Sequence, residues 1–236
     1  MSHHFPTTNW TALVGRDKAD DVARQAALEY VAAAYWEPIY AFVRRRGYDP
    51  ERALDLTQTF FLGLLDGRLI DQADPERGRF RAFLATALRN FLINEHERVS
   101  ARRRSPEGPL LSLDTLAAEQ RVQIDAVDGL TPEQVFERRW AQSLIRRALE
   151  HLEQEQARTG HGERFRRLRR HVIGEGETSY AQLTRELELS EAALKKVVSR
   201  LRKRFGELLR AEVAATVVDA EDVDSELRHL LETAVF

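Results

Sequence analysis

The chain has 236 residues, 43% of them hydrophobic and 31% charged, which is enough apolar material for one large domain or two small ones. It has no cysteine, which excludes a disulfide framework, a thiolate nucleophile and Cys-based zinc or iron–sulfur sites and fits a reducing cytoplasm. The net charge of -2 does not suggest a nucleic-acid binder, but the charge is segregated: residues 195–204 hold six cations and no acid, and residues 211–236 hold seven acids and one arginine.

The N-terminal MSHHFPTTNW has neither a basic start nor an apolar run, so no signal peptide is expected. No segment approaches the roughly 20 apolar residues that span a bilayer, so no membrane insertion is expected. The first predicted helix covers about residues 20–46. Ala26, Ala27, Tyr30, Val31, Ala34 and Tyr35 recur at spacings of three and four, followed by Ile39, Phe42 and Val43. Pro38 is expected to kink or split it, and Gly47 to end it after three arginines. Asp49 is placed to cap a second helix with Pro50 at its first position and Leu54, Phe61, Leu64 and Leu65 as its apolar face. A short element around Leu69 and Ile70 leads into a turn at 74–79.

The third helix has the clearest period. Phe80, Phe83, Leu84, Ala87, Leu88, Phe91 and Leu92 fall on one face, and its far end turns basic with Arg98, Arg102, Arg103 and Arg104. Pro106, Gly108, Pro109, Gly129 and Pro132 bracket a linker over 105–130, with a helical turn expected near 114–120. Helical signals resume from Pro132 to Leu152 through Val135, Trp140, Leu144, Ile145, Ala148 and Leu149; residues 153–162 read as a polar loop. Residues 163–173 set five arginines among Phe165, Leu168, Val172 and Ile173, a basic amphipathic helix closed by a break at 174–178.

Ser179 and Gln182 are spaced as a capping box for the helix YAQLTREL. After a short turn at Glu188 and Leu189, Ser190 caps EAALKKVVSRLRKRFGELLR. Two helices joined by so short a turn, the second strongly basic, form a helix-turn-helix. Leu194, Val197, Val198, Leu201, Phe205 and Leu208 make its inner stripe, while Lys195, Lys196, Ser199, Arg200, Arg202 and Lys203 face elsewhere, the layout of a DNA recognition helix. The tail adds an acidic connection at 219–224 and a short helix holding Glu226, Leu227, Leu230 and Leu231; charge complementarity suggests that it folds onto the basic 163–171 or 195–204 helices.

Catalysis finds no support. None of the seven histidines forms His-x-x-x-His with a nearby acid, so no metal site is expected. There is no Gly-rich phosphate loop and no Gly-x-Ser-x-Gly, and Glu95 and Glu97 point apart on a helix. Phe80, Phe83 and Phe91, with Trp10, Trp36 and Trp140, read as core or packing residues.

Two stretches together resemble the extracytoplasmic-function sigma factors, the smallest class of bacterial sigma factors. Asp55, Leu56, Gln58, Phe60 and Leu64 resemble the family's Asp-x-x-Gln-Glu-x-Phe helix of region 2. Phe80, Arg81, Phe83, Leu84, Arg89 and Asn90, with the arginines to Arg104, resemble the aromatic helix with its Arg-Asn pattern that follows. Glu177, Ser179, Tyr180, Leu183, Leu187, Leu189, Ser190 and the basic helix resemble region 4. The departures mark a divergent subgroup: Thr59 replaces the usual Glu, Asn94 the usual Asp and Glu188 the usual turn Gly, 153–171 is longer and more basic, and an acidic extension follows Arg210. If the Glu188 position needs a positive φ, Glu costs about 1 kcal/mol more than Gly there.

The resemblance implies an all-α protein of two helical domains: region 2 over 20–104, a linker over 105–130, the region 4 helix-turn-helix over 131–210 and an acidic extension over 211–236. It implies a sigma factor that directs RNA polymerase to promoters, works in the cytoplasm without a cofactor, and is a monomer when free. Asp55, Gln58, Thr59 and Leu64 would dock on core RNA polymerase. Arg89, Asn90, Asn94, Arg98, Arg102 and Arg103 would face the −10 element and help melt it. Ser190, Glu191, Lys195, Lys196, Ser199, Arg200, Arg202 and Lys203 would read the −35 element. An anti-sigma factor is a further implied partner. Thr57 and Thr59 beside Asp55 are candidate acceptors for a Ser/Thr kinase, whose phosphate would add about −1.5 to −2 charge. The alternative from the residues is a helix-turn-helix regulator that is not a polymerase subunit.

Overall fold

The computed structural model describes residues 21–66, 69, 79–102, 129–174, 176, 178–217 and 220–234. The described residues are all helical and turn: α1 (Asp21–Arg45), α2 (Pro50–Leu65), α3 (Phe80–Arg102), α4 (Pro132–Arg158), α5 (Gly162–Ile173), α6 (Tyr180–Leu187), α7 (Glu191–Ala214), a 3-10 turn (Ala220–Asp222) and α8 (Val223–Ala234). Trp10, Ile70, the turn expected at 74–78, Arg103 and Arg104, and the helical turn expected at 114–120 lie outside the described residues.

Packing divides the chain into two units. Unit 1 comprises residues 1–143 with 214–236, and unit 2 comprises 144–213. The division between these units falls inside α4 and near the end of α7, and the linker expected over 105–130 lies outside the described residues up to 128.

In unit 1, Asp49 accepts a hydrogen bond from the Arg52 backbone N–H at 2.9 Å, and Pro50 takes the first helical position, as the capping signals predict. Pro38 does not split α1, which runs unbroken past it. Tyr35, Ile39, Tyr40, Phe42 and Val43 around it are fully buried, and that packing outweighs the ~3 kcal/mol a mid-helix proline costs. Leu54, Leu56, Phe60, Leu64, Leu84 and Leu88 complete the core of α2 and α3. Phe80 meets Tyr35 edge-on at 5.4 Å and Phe91 meets Phe60 at 5.5 Å, so these aromatics are packing residues.

The acidic tail is built into this unit. Glu226 of α8 is 1% exposed. Its carboxylate accepts from Arg81 Nε at 3.0 Å and pairs with Arg79 Nε at 3.0 Å. Arg81 also pairs with Glu137 of α4 and lies over the Trp140 ring at 5.1 Å, and His229 Nε2 lies 3.0 Å from Glu137. Val223 and Leu230 are buried beside this network. Within unit 1 the tail helix thus answers to Arg79 and Arg81, cations that the expectation, which named the basic helices at 163–171 and 195–204, did not include.

In unit 2, α4 continues to Arg158, so the polar loop expected over 153–162 shrinks to residues 159–161. The stretch is rich in Glu, Gln and Arg, which are good helix formers. The extra turn also brings Glu155 to Arg204 of α7, with Nη2–Oε1 at 2.6 Å and Nε–Oε2 at 2.9 Å. Arg147 and His151 of α4 hold the buried Glu212 of α7 at 2.8 and 3.2 Å. Leu149, Leu152, Phe165, Leu168, Leu183, Leu194, Val198, Leu201 and Leu208 form the core.

Candidate nucleic-acid interfaces

The second unit presents the sharper site. Ser179 caps α6, its hydroxyl accepting from the Gln182 N–H, but the Gln182 side chain turns to Glu186 at 2.8 Å, so only half the capping box forms. Glu188 ends α6 at φ 52°, ψ 38°, the only non-glycine residue with positive φ among the described residues. The left-handed turn is therefore made without glycine, at a strain of about 1 kcal/mol. Leu189 and Ser190 complete the connection, and the Ser190 hydroxyl accepts from the Ala193 N–H at 3.2 Å to start α7. Ser190 thus works as a helix cap, the role its sequence position predicts.

Along α7 the cations divide by partner. Lys195 is paired with Glu191 at 2.6 Å; this contact holds the Glu191 carboxyl below its ordinary value and lifts the Lys195 ammonium above its own. Arg202, although exposed, donates from Nε and Nη2 to the His171 carbonyl at 3.1 and 2.8 Å, closing the C-terminal end of α5. His171 is buried, with Nε2 2.7 Å from the Thr178 carbonyl oxygen, so the same residue ties the 174–178 break to α5. Sequence alone does not separate Arg202 from Arg200; an anchoring carbonyl 31 residues upstream does. Lys196, Ser199, Arg200 and Lys203 are exposed, share one helix face at i, i+3, i+4 and i+7, and engage no hydrogen bond or ion pair among the described residues. Four polar or cationic side chains on one free face suit a phosphate backbone and base edges.

The first unit presents two surfaces. On α2, Asp55, Gln58 and Thr59 are exposed, and the Thr59 hydroxyl donates to the Asp55 carbonyl at 2.8 Å. Leu64 is 1% exposed and belongs to the core, so its side chain is not available for the docking expected of it. Leu62 and Leu65, 57% and 45% exposed, are the accessible apolar residues. They border a groove of about 360 Å³ lined with Gln58, Phe61, Trp36 and Leu28. Periodicity offers Leu64 and Leu65 alike, and only packing selects between them. Thr57 is fully buried and its hydroxyl donates to the Ala53 carbonyl at 2.7 Å, so it is closed to a kinase in the folded chain, whereas Thr59 is accessible.

On α3, Asn90, Asn94 and Arg98 are exposed, and Arg98 pairs with Glu95 at 2.6 Å. Arg89 reaches Glu133 of α4 at 3.0 Å. Arg102 ends the helix, and the basic run past it lies outside the described residues. Among the described residues no group of histidines and acids could hold a metal ion, and no helix is long and apolar enough to cross a membrane.

No curated protein and no solved structure matches the chain. Residues 31–104, from within α1 through α2 and α3, match the family model of sigma-70 region 2, and this part of the chain is similar to that domain of the sigma-70 family.

Proposed function

We propose that the chain is a sigma factor, of the extracytoplasmic-function type, that joins core RNA polymerase and directs it to promoters. The observation that carries this reading is the match of residues 31–104 to sigma-70 region 2. Its support in the other unit is the pair α6 and α7, read as a region 4 helix-turn-helix with Lys196, Ser199, Arg200 and Lys203 toward duplex DNA of the −35 element. Asp55, Gln58 and Thr59, with Leu62 and Leu65 beside them, offer a mixed polar and apolar surface to the polymerase clamp. Arg89, Asn90, Asn94 and Arg98 suit an opened −10 element, where unpairing costs a few kcal/mol per base and contacts to phosphates and exposed base edges offset it. Such a factor works in the cytoplasm, where polymerase and promoters meet, and needs no cofactor of its own. An anti-sigma factor or a kinase acting at Thr59 are the regulators this surface admits.

In vitro transcription tests the reading. Core polymerase with the full chain is expected to yield transcripts from discrete promoters in a genomic fragment library. A regulator that is not a polymerase subunit would retard duplex DNA yet start no transcript, and that result would remove the sigma reading. Leu62→Glu is expected to weaken polymerase binding about tenfold while leaving the melting temperature within ~2 °C, since the residue is exposed.

A further inference from the structure

We propose that Arg46 and Arg89 form a DNA-phosphate site that Glu133 occupies in the free chain. The proposal rests on the reading of α3 as a DNA-facing helix and adds to it a second cation, a built-in competitor and a means of control.

The geometry is that of an anion site. Arg46, just past the end of α1, and Arg89, in the middle of α3, converge on one carboxylate oxygen, Glu133 Oε1, at 3.5 and 3.0 Å. Two guanidinium groups brought from separate helices to one oxygen match a phosphate as well as a carboxylate, because both anions accept the same planar donors. Arg46 is also steadied over the Phe42 ring at 5.3 Å. Beside the pair lies a groove of about 300 Å³ lined by Arg46, Tyr48, Arg89, Leu92, Ile93, His96 and Glu97. Tyr48 and the half-exposed Ile93 supply apolar surface for a sugar or base next to the phosphate position, while Glu97 places one acid on the rim.

The competing carboxylate is held in place by its helix. Thr131 and Gln134 form a full reciprocal capping box, with Thr131 N–H to Gln134 Oε1 at 2.8 Å and Gln134 N–H to Thr131 Oγ1 at 3.2 Å. Arg45 Nε donates to the Leu130 carbonyl at 2.7 Å, fastening the chain just before this cap. Burial alone would raise the Glu133 carboxyl, but its own backbone N–H, Arg89 and Arg46 together hold it below the ordinary value, so it is anionic at neutral pH.

The pairing is nevertheless exchangeable. The side chains of Arg46, Arg89 and Glu133 are 39%, 44% and 37% exposed, whereas those of Arg81 and Glu226 are 9% and 2%. Ion pairs as wet as the first set contribute little and yield to a competing anion, while a pair as dry as the second does not. A DNA phosphate arriving at the site replaces one anion by another without leaving a buried charge behind.

Fluorescence anisotropy of the full chain with a labelled single-stranded oligonucleotide at low salt tests this. Glu133→Gln is expected to bind about two- to fivefold more tightly than wild type, the scale of an exposed ion pair. Combining it with Arg46→Ala is expected to abolish the gain. Glu133→Ala gives the same ordering if the Gln variant is poorly folded. Equal affinity for wild type and both Glu133 variants overturns the proposal. So does a gain that survives in an Arg46→Ala, Arg89→Ala background. A lowered melting temperature with unchanged affinity also overturns it and leaves Glu133 as a fastening for α4. The promoter reading fails separately: if the Glu133 variants bind tighter but core polymerase starts no transcript with wild type, the anion site stands and the sigma reading falls. Transcription without any Glu133 effect gives the reverse.

Discussion

Helices α3 and α7 are both rich in cations, arginines on α3 and arginines with lysines on α7, yet the structure treats those cations differently. On α3, Arg81 is sunk against Glu226 and Glu137, Arg89 is met by Glu133, and Arg98 by Glu95. Three of these four acids come from positions 44 or more residues away. On α7 Lys195 is met by Glu191 in the first turn of the same helix and Arg204 by Glu155 and Glu207, while Lys196, Arg200 and Lys203 engage no ion pair among the described residues. A basic helix is therefore a statement about potential, and which cations are available is decided by what the rest of the chain brings to them.

The largest effect that could break this comparison is at the buried pair. Glu226→Ala removes one of the two acids that meet the Arg81 guanidinium at 8% exposure, leaving Glu137, and is expected to cost about 3 kcal/mol, the lower end for breaking a buried pair. Urea denaturation followed by tryptophan fluorescence measures it; a loss under ~1 kcal/mol would mean that the network does not hold α8 to unit 1. Replacing Lys196, Arg200 and Lys203 together by alanine is the complementary experiment. Duplex binding should weaken, and the slope of log K against log salt should flatten by about 0.9 for each phosphate no longer neutralised, with stability within ~0.5 kcal/mol of wild type.

Arg202 sharpens the contrast within α7. Arg202→Ala is expected to lower stability by about 1 kcal/mol, the scale of a hydrogen bond to the His171 carbonyl, and to reduce DNA affinity less than Arg200→Ala does. The reverse ordering would place Arg202 on the DNA instead. The smallest effect is at the turn. Glu188→Gly relieves the positive φ and is expected to stabilise by up to ~1 kcal/mol, read as a rise in melting temperature, with DNA affinity unchanged.

Much of the local structure is legible because its causes are local. The cap at Asp49, the half-box at Ser179, the cap at Ser190 and the inner stripe of Leu194, Val198, Leu201 and Leu208 each depend on residues within a few turns of one another. The break of α6 at Glu188 is equally local, although the glycine usual in that turn is missing. The misreadings have a common origin. Pro38 is a strong breaker only where nothing packs around it, and residues 153–158 are a loop only if Glu155 has no Arg204 to meet. Leu64 and Leu65 have similar claims to an apolar face, and the neighbours of α2 bury the first while exposing the second.

By itself the sequence determined the helical class, the order of the elements, their caps and the placing of a cationic face on α7, because periodicity and capping act over a few residues. Only the tertiary structure decided which charges remain free. It anchored the helix of the acidic tail through Glu226 on Arg79 and Arg81, and it set Glu133 between Arg46 and Arg89. The physical reason is that an ion pair depends on distance in space, and the pairs that matter here close between residues 44 to 147 positions apart along the chain.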